Sequence, residues 1–226
     1  MLINKYNKSL PLKFRIKIID NFLKKNDFKK IIKLPINKNI KYGFRNVWGT
    51  IDKNGNIQGK INHKIIKLLH NNYHFKAIKI LKKLNKFKLS LYEFSEFTLI
   101  VTNKNSKSHI HDDIPNKLLS GVVYLSPKKN CGTFFYNNKN STKNSTEVSW
   151  KVNRAVFFSR KEGVTWHSYQ GDGVNNRLVL VYNLMTKNVA EVYKIEKKIF
   201  LIYYTINFLR DYFYRLYILI KIILKT

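Results

Sequence analysis

The sequence predicts a mainly β protein with flanking helices, its strands arranged as an antiparallel sandwich or barrel of the jelly-roll type. Two observations carry this. From Leu91 onward the apolar period shortens into brief runs rich in β-branched and aromatic residues: Leu91–Thr102, Ser108–Asp113, Leu118–Leu125, Gly132–Tyr136, Ala155–Ser159, Thr165–Tyr169 and Arg177–Leu184. Turn-forming clusters separate these runs, at Asn103–Asn105, Pro127–Asn130, Asn137–Asn144, Gly163 and Gly171–Gly173. With 226 residues, 44% hydrophobic and 14% aromatic, the chain can bury one good core and carry an appendage.

Before this β region, Leu12–Ile19 alternates as a first strand, and a short helical piece follows from Asp20 or Asn21 to Lys33. The stretch from Leu34 to Gln58 is turn-rich, and Asn54-Gly55 is a hairpin-turn signal. Asn62 caps a helix that continues to about Phe87, with apolar residues at spacings of three and four. Its lysines form a solvated face, and His63, His70 and His74 read as surface or packing residues. After the strands, Glu191–Thr226 reads as one long amphipathic helix. Glu196, Lys197, Asn207, Arg210, Asp211, Arg215, Lys221 and Lys225 share one sector, and the rest is apolar. Its longest uncharged run, Ile199–Leu209, is too short to span a bilayer. Such a helix packs on the domain or on a second copy of the chain, or lies in the plane of a membrane surface.

The net charge is +30, and +20 of it lies before residue 109. It has two readings. One is a surface that attracts a polyanion, so nucleic acid remains among the partners. The other is compositional, because Lys, Asn and Ile are abundant throughout. The one cysteine, Cys131, leaves no internal disulfide. Lys13, Arg15 and Lys17 interrupt the apolar N-terminal stretch, so no signal peptide is expected, and the expected location is the cytoplasm, including the inner face of a membrane. Without export, Asn140-Ser141-Thr142 and Asn144-Ser145-Thr146 read as loop polarity rather than glycosylation sites.

The chemistry concentrates in SHIHDDIPNKLLSGVVYLSP, Ser108–Pro127. On a strand, His111 and Asp113 point to the same side. With a distant histidine, His167, they make two imidazoles and a carboxylate on one face of a metal, a set suited to non-haem Fe(II). His109 shares that side and competes, but a His109-x-His111 pair would resemble the metal motif of cupins, which is followed by a Glu where Pro115 and Asn116 stand here. A hairpin centred on Asp172 would set His167 opposite Arg177 and place a cation near the metal. A bidentate Arg there can anchor the far carboxylate of a metal-chelating dicarboxylate.

These residues together resemble the 2-oxoglutarate- and Fe(II)-dependent oxygenases of the prolyl-hydroxylase-like branch. His111-Asp112-Asp113-Ile114-Pro115 matches H-x-D-x-P, and KLLSGVVYL at Lys117–Leu125 is similar to the strand that follows it in that family. Cys131-Gly132-Thr133, Trp166-His167 and Arg177 fall in order, and KIIDNFL at Lys17–Leu23 resembles the opening strand. The resemblance covers roughly residues 12–184. It implies a double-stranded β-helix core with helical N-terminal support, over residues 1–190, followed by the helix 191–226. It also implies Fe(II) on His111, Asp113 and His167. The distal carboxylate of 2-oxoglutarate would lie on Arg177 with Tyr124 as hydrogen-bond partner, and O2 as second cosubstrate would give a hydroxylated product with succinate and CO2. Three departures stand out: Val179 replaces a frequent Ser, Arg177 stands where some collagen-type enzymes have Lys, and Asn183 replaces the second Arg of nucleic-acid demethylases. The substrate is left among small molecules, peptides and lipid-linked precursors, and a homo-oligomer stays open. The alternatives are a polyanion-binding β-sandwich without catalysis and a cupin-like metal dioxygenase that does not use 2-oxoglutarate. The segments 35–60 and 137–147 are expected to border the mouth.

Overall fold

Strands buried on both faces read as nearly unbroken apolar runs. That is the case for KLLSGVVYLS and RLVLVYNLM, and the computed structural model, which describes residues 12–140 and 145–223, shows why. The strands are β1 (Ile16–Ile19), β2 (Phe44–Asp52), β3 (Ile57–Gly59), β4 (Phe94–Thr102), β5 (Lys117–Ser126), β6 (Thr133–Tyr136), β7 (Ser145–Val148), β8 (Ala155–Phe158), β9 (Trp166–Tyr169) and β10 (Arg177–Met185). The helices are α1 (Lys25–Ile32), α2 (His63–Leu84), α3 (Val189–Ile195) and α4 (Phe200–Ile223), with a 3-10 helix at Lys86–Leu91.

A seven-stranded antiparallel sheet runs β1-β8-β5-β10-β4-β2-β3, and a three-stranded sheet runs β7-β6-β9. The segment 107–111 joins the smaller sheet through two isolated bridges, Lys107 to Gln170 and His111 to His167. This is the two-sheet jelly roll expected. Residues alternate between two cores. Leu119, Val123, Leu178, Leu180, Phe97 and Leu99 face the helices, with Ile66, Leu69 and Leu81 of α2 in the same cluster. Tyr124, Val156, Phe158 and Val179 face the smaller sheet, where they meet Phe135 and Val148. Gly121 permits the close packing in β5: a Cβ there would sit 2.3 Å from the Phe157 ring and 2.7 Å from the Tyr182 carbonyl oxygen.

Helix α2 starts as expected, with the Asn62 side chain accepting from the Lys64 N–H at 2.9 Å. The turn at Asn54-Gly55 joins β2 to β3. The turn-rich reading of 34–58 missed β2, whose register with β4 runs from Phe44–Thr102 to Asp52–Phe94. Its residues from Phe44 to Asn46 are exposed, so the strand shows little hydrophobic alternation.

Three expectations are corrected. Ser108–Asp113 is an extended segment with bridges, not a full strand. Residues Trp166–Tyr169 and Arg177–Met185 do not form a hairpin: β9 pairs with β6, β10 pairs with β4 and β5, and the register partner of Arg177 is Thr102. The chain crosses between the two sheets there instead of doubling back in one. The C-terminal helix is also interrupted. α3 ends before Lys197, whose φ of 57° is left-handed, and α4 starts at Phe200. Among the described residues α4 packs on α3 and leaves much of its apolar surface exposed, including Leu201, Phe208 and Phe213. Of its expected polar stripe, Glu196 is buried and Lys197 exposed, while the side chains of Asn207, Arg210, Asp211, Arg215, Lys221 and Lys225 lie outside the described residues. Residues 141–144 of the 137–147 loop, with Asn144 and most of the first sequon, also lie outside them. No helix among the described residues is long and apolar enough to cross a membrane.

Candidate metal and carboxylate site

The bridge between His111 and His167 builds the centre of the site. The two residues exchange backbone hydrogen bonds, His111 N–H to His167 O at 3.0 Å and His167 N–H to His111 O at 2.8 Å. That ladder sets their rings 4.4 Å apart. Asp113, two residues on, completes a group in which one ligand atom from each of His111, Asp113 and His167 lies within 4.8 Å of the others. His109 is exposed and does not belong to that group.

Both imidazoles are held in one tautomer. His111 Nδ1 lies 2.9 Å from the His109 carbonyl oxygen, and His167 Nδ1 lies 3.0 Å from that of Thr165. A carbonyl only accepts, so each Nδ1 carries the hydrogen and each Nε2 keeps its lone pair. His167 Nε2 faces Asp113 Oδ2 at 3.9 Å. Burial, and then the neighbouring His167, push the His111 pKa down to about 4, so this ring is neutral at pH 7. Burial alone would raise the Asp113 carboxyl. Lys117, His167 and the Ser120 hydroxyl outweigh it and hold the group well below the usual carboxylate range. Lys117 Nζ binds Asp113 Oδ1 at 2.5 Å, and Ser120 Oγ donates to Oδ2 at 2.5 Å. Phe158 and Phe135 wall the His167 ring at 4.9 and 6.2 Å.

Arg177 enters the same interior from the start of β10. It is 3% exposed, its guanidinium lies 4.7 Å from the Tyr169 ring centroid and 5.2 Å from that of Trp150, and it forms no ion pair among the described residues. Among the described residues its Nε has no hydrogen-bond partner, and NH1 makes one long hydrogen bond, to the Gln170 carbonyl at 3.5 Å. Burial lowers its pKa. Tyr124 stacks on Trp150 at 4.5 Å and donates to Thr133 Oγ1 at 2.8 Å, with the Val148 carbonyl at 3.2 Å. Burial pushes its phenol up to about 12, against the downward pull of Thr133 and Arg177. Val179, on β10 opposite Tyr124, is buried in the same cluster.

The structure therefore brings His111, Asp113 and His167 together, and puts Arg177 and Tyr124 around the shared Trp150. Sequence reasoning missed Ser120, Lys117, Tyr169 and Trp150. Tyr169 was within reach, since it lies two residues from His167 on one strand and so shares its side. Trp150 lies in a loop, and nothing local points to it. A second omission is a buried ionic network behind the His/Asp/His group. Arg160 is fully buried, donates from Nε to the Asp113 carbonyl at 2.9 Å and from NH1 to Glu196 at 2.9 Å, and also pairs with Glu162. Lys88, equally buried, holds the other Glu196 oxygen at 2.5 Å.

The donor set fits the metal implied by the resemblance. Two imidazole Nε2 atoms and a carboxylate on one side suit Fe(II). The unpaired guanidinium fits an anionic cosubstrate equally well, because a buried charge without a counter-ion is costly.

No protein-family model matches the chain, and no curated protein does. Solved structures do. The chain is similar to a Pseudomonas putida prolyl-4-hydroxylase, with TM-score 0.52 and 13% identity over 77% of this chain and 94% of the other. It is similar to a 2OG-Fe(II) oxygenase family protein from Burkholderia pseudomallei, with TM-score 0.53 and 14% identity over 75% and 84%. A Trichoplax adhaerens prolyl hydroxylase, solved with a hypoxia inducible factor peptide fragment, gives TM-score 0.52 and 16% identity over 78% and 86%. The chain has the fold of the prolyl-hydroxylase-like 2-oxoglutarate/Fe(II) oxygenases.

Proposed function

We propose that this protein is a 2-oxoglutarate- and Fe(II)-dependent dioxygenase that hydroxylates a C–H bond. In this reading His111, Asp113 and His167 hold the metal, Arg177 holds the distal carboxylate of 2-oxoglutarate, and Tyr124 gives that carboxylate a further hydrogen bond. The observation that carries the reading is the pairing of a His/Asp/His cluster with a buried, uncompensated guanidinium in one interior. The fold supports the reaction class. Once bound, metal and oxo acid supply the oxidation: O2 and 2-oxoglutarate give succinate and CO2, and one oxygen atom goes into the substrate C–H bond.

The protein's part is placement and exclusion of water. The carbonyls of His109 and Thr165 fix the imidazole tautomers, so both Nε2 atoms are ready to bind without a proton being lost. Ser120 and Lys117 keep Asp113 ionised and in one rotamer. Trp150 and Tyr169 hold the Arg177 guanidinium against their rings and leave Nε unsatisfied for an incoming oxygen. The Tyr124 hydroxyl would exchange its Thr133 acceptor for the carboxylate. Phe135 and Phe158 make the surroundings of His167 apolar.

We take residues 1–190 as the oxygenase domain and 191–226 as its C-terminal appendage. The peptide bound by the Trichoplax neighbour supports a peptide among the substrate classes. The reading is tested by calorimetric titration of 2-oxoglutarate into the Mn(II)-loaded protein, with Mn(II) in place of Fe(II). Metal-dependent binding is expected, lost in His111→Ala and weakened in Arg177→Met. Binding that ignores both substitutions would place the cosubstrate elsewhere.

A further inference from the structure

We propose that α4 lays this protein on an anionic lipid surface, as a helix in the plane of the interface. The first observation is an apolar surface with no cover. Ile199, Leu201, Ile202, Tyr204, Ile206, Phe208, Leu209, Tyr212, Phe213 and Leu216 are between 41 and 70% exposed. Among the described residues, the main element packed against α4 is α3. α4 is tied on at its root, where Tyr193 of α3 meets the rings of Phe200 and Tyr203 at 6.1 and 6.0 Å. A water-facing run of this size is costly unless something apolar covers it.

The charge says which partner covers it. The protein carries +30 overall, and Lys194 and Lys197 are exposed at the root of α4. Along the helix the sequence sets Arg210, Arg215 and Lys221 against a single acid, Asp211. A second copy of the chain would carry the same +30, which opposes its approach. An anionic bilayer offers the opposite sign together with an acyl boundary for the apolar residues. Tyr204 and Tyr212 supply aromatic rings of the kind that sit at headgroup level, and Phe208 and Phe213 add apolar surface for the acyl boundary. Among the described residues no helix is long and apolar enough to cross a membrane, and in this proposal α4 lies along the surface. At 24 residues it would cover about 36 Å of that surface.

The experiment is co-flotation of the full chain with phosphatidylglycerol-containing vesicles and with pure phosphatidylcholine vesicles. It compares wild type with the triple variant Leu201→Ser, Phe208→Ser, Phe213→Ser. These three side chains are exposed, so the domain fold does not depend on them, and the changes leave the net charge untouched. Wild type is expected to float with the anionic vesicles and much less with the zwitterionic ones. The variant is expected to bind the anionic vesicles at least about tenfold more weakly. Wild type that stays in solution, or a variant that floats equally well, overturns the proposal. Light scattering on the same samples reads the rival occupant. A dimer that the variant dissolves, with no vesicle binding by either protein, would make α4 a subunit contact instead.

Discussion

Replacing Arg177 with methionine should make the ligand-free protein more stable, although it removes the group proposed to hold the cosubstrate. The guanidinium is 3% exposed, has no carboxylate partner among the described residues, and leaves Nε unsatisfied. Burying such an ion costs several kcal/mol even after relaxation. Against this stand two ring contacts, at 4.7 and 5.2 Å, each contributing about 1–2 kcal/mol when desolvated, and one long hydrogen bond. The balance favours an apolar side chain of similar length by about 1–3 kcal/mol. For a chain of this size that raises the melting temperature by roughly 2–12 °C. The assay is thermal unfolding followed by circular dichroism, with and without 2-oxoglutarate, on Mn(II)-loaded protein. Wild type should gain about 3 kcal/mol at a ligand concentration a hundred times its dissociation constant, and the variant should gain almost nothing at that concentration. A ligand-free variant that melts well below wild type would refute the reasoning, because Arg177 would then be a structural cation satisfied by its rings.

Glu196 gives the opposite expectation. It neutralises Lys88 and Arg160, both fully buried, so Glu196→Gln should cost about 3–5 kcal/mol in chemical denaturation. Because Arg160 donates to the Asp113 carbonyl, metal affinity should fall as well, and an unchanged affinity would separate the network from the site. The stacked pair His70–His74, 4.4 Å apart against Tyr92, sets a pH dependence. Burial lowers both pKa values, that of His74 to about 4 with added repulsion from His70. Their folded pKa values lie below the unfolded one near 6.5, so the stability they contribute is complete above that pH and is lost as the pH falls toward 4. Metal-free wild type should therefore lose about 1 kcal/mol more than His74→Gln between pH 7.5 and pH 5, after allowance for partial exposure. An identical loss in both would remove His74 as a cause.

Much of this was legible because period and turn chemistry are local. The apolar runs of β5 and β10, the Asn62 cap and the order His111, Asp113, His167, Arg177 all stand in the sequence. The route by which they meet does not. A hairpin between β9 and β10 and the observed crossing to the other sheet have the same local signals, since both need only a polar turn at 170–176. Arg177 lies against Tyr169 and Trp150 and is not a cross-strand neighbour of His167. β2 was hidden because an edge region with exposed residues lacks alternation. Lys88, Arg160 and Glu196 are scattered between residues 88 and 196, and only the tertiary fold brings them together. The break at Lys197 was equally silent: a lysine with left-handed backbone has no sequence signature of the kind a glycine provides.

The most direct test of the central claim is succinate formation from 2-oxoglutarate with Fe(II) and O2, with no prime substrate added, for wild type, His111→Ala and Arg177→Ala. Slow uncoupled turnover by wild type, abolished by both substitutions, is the predicted result. Wild type that makes no succinate, or turnover that survives in both variants, would contradict the assignment of this site.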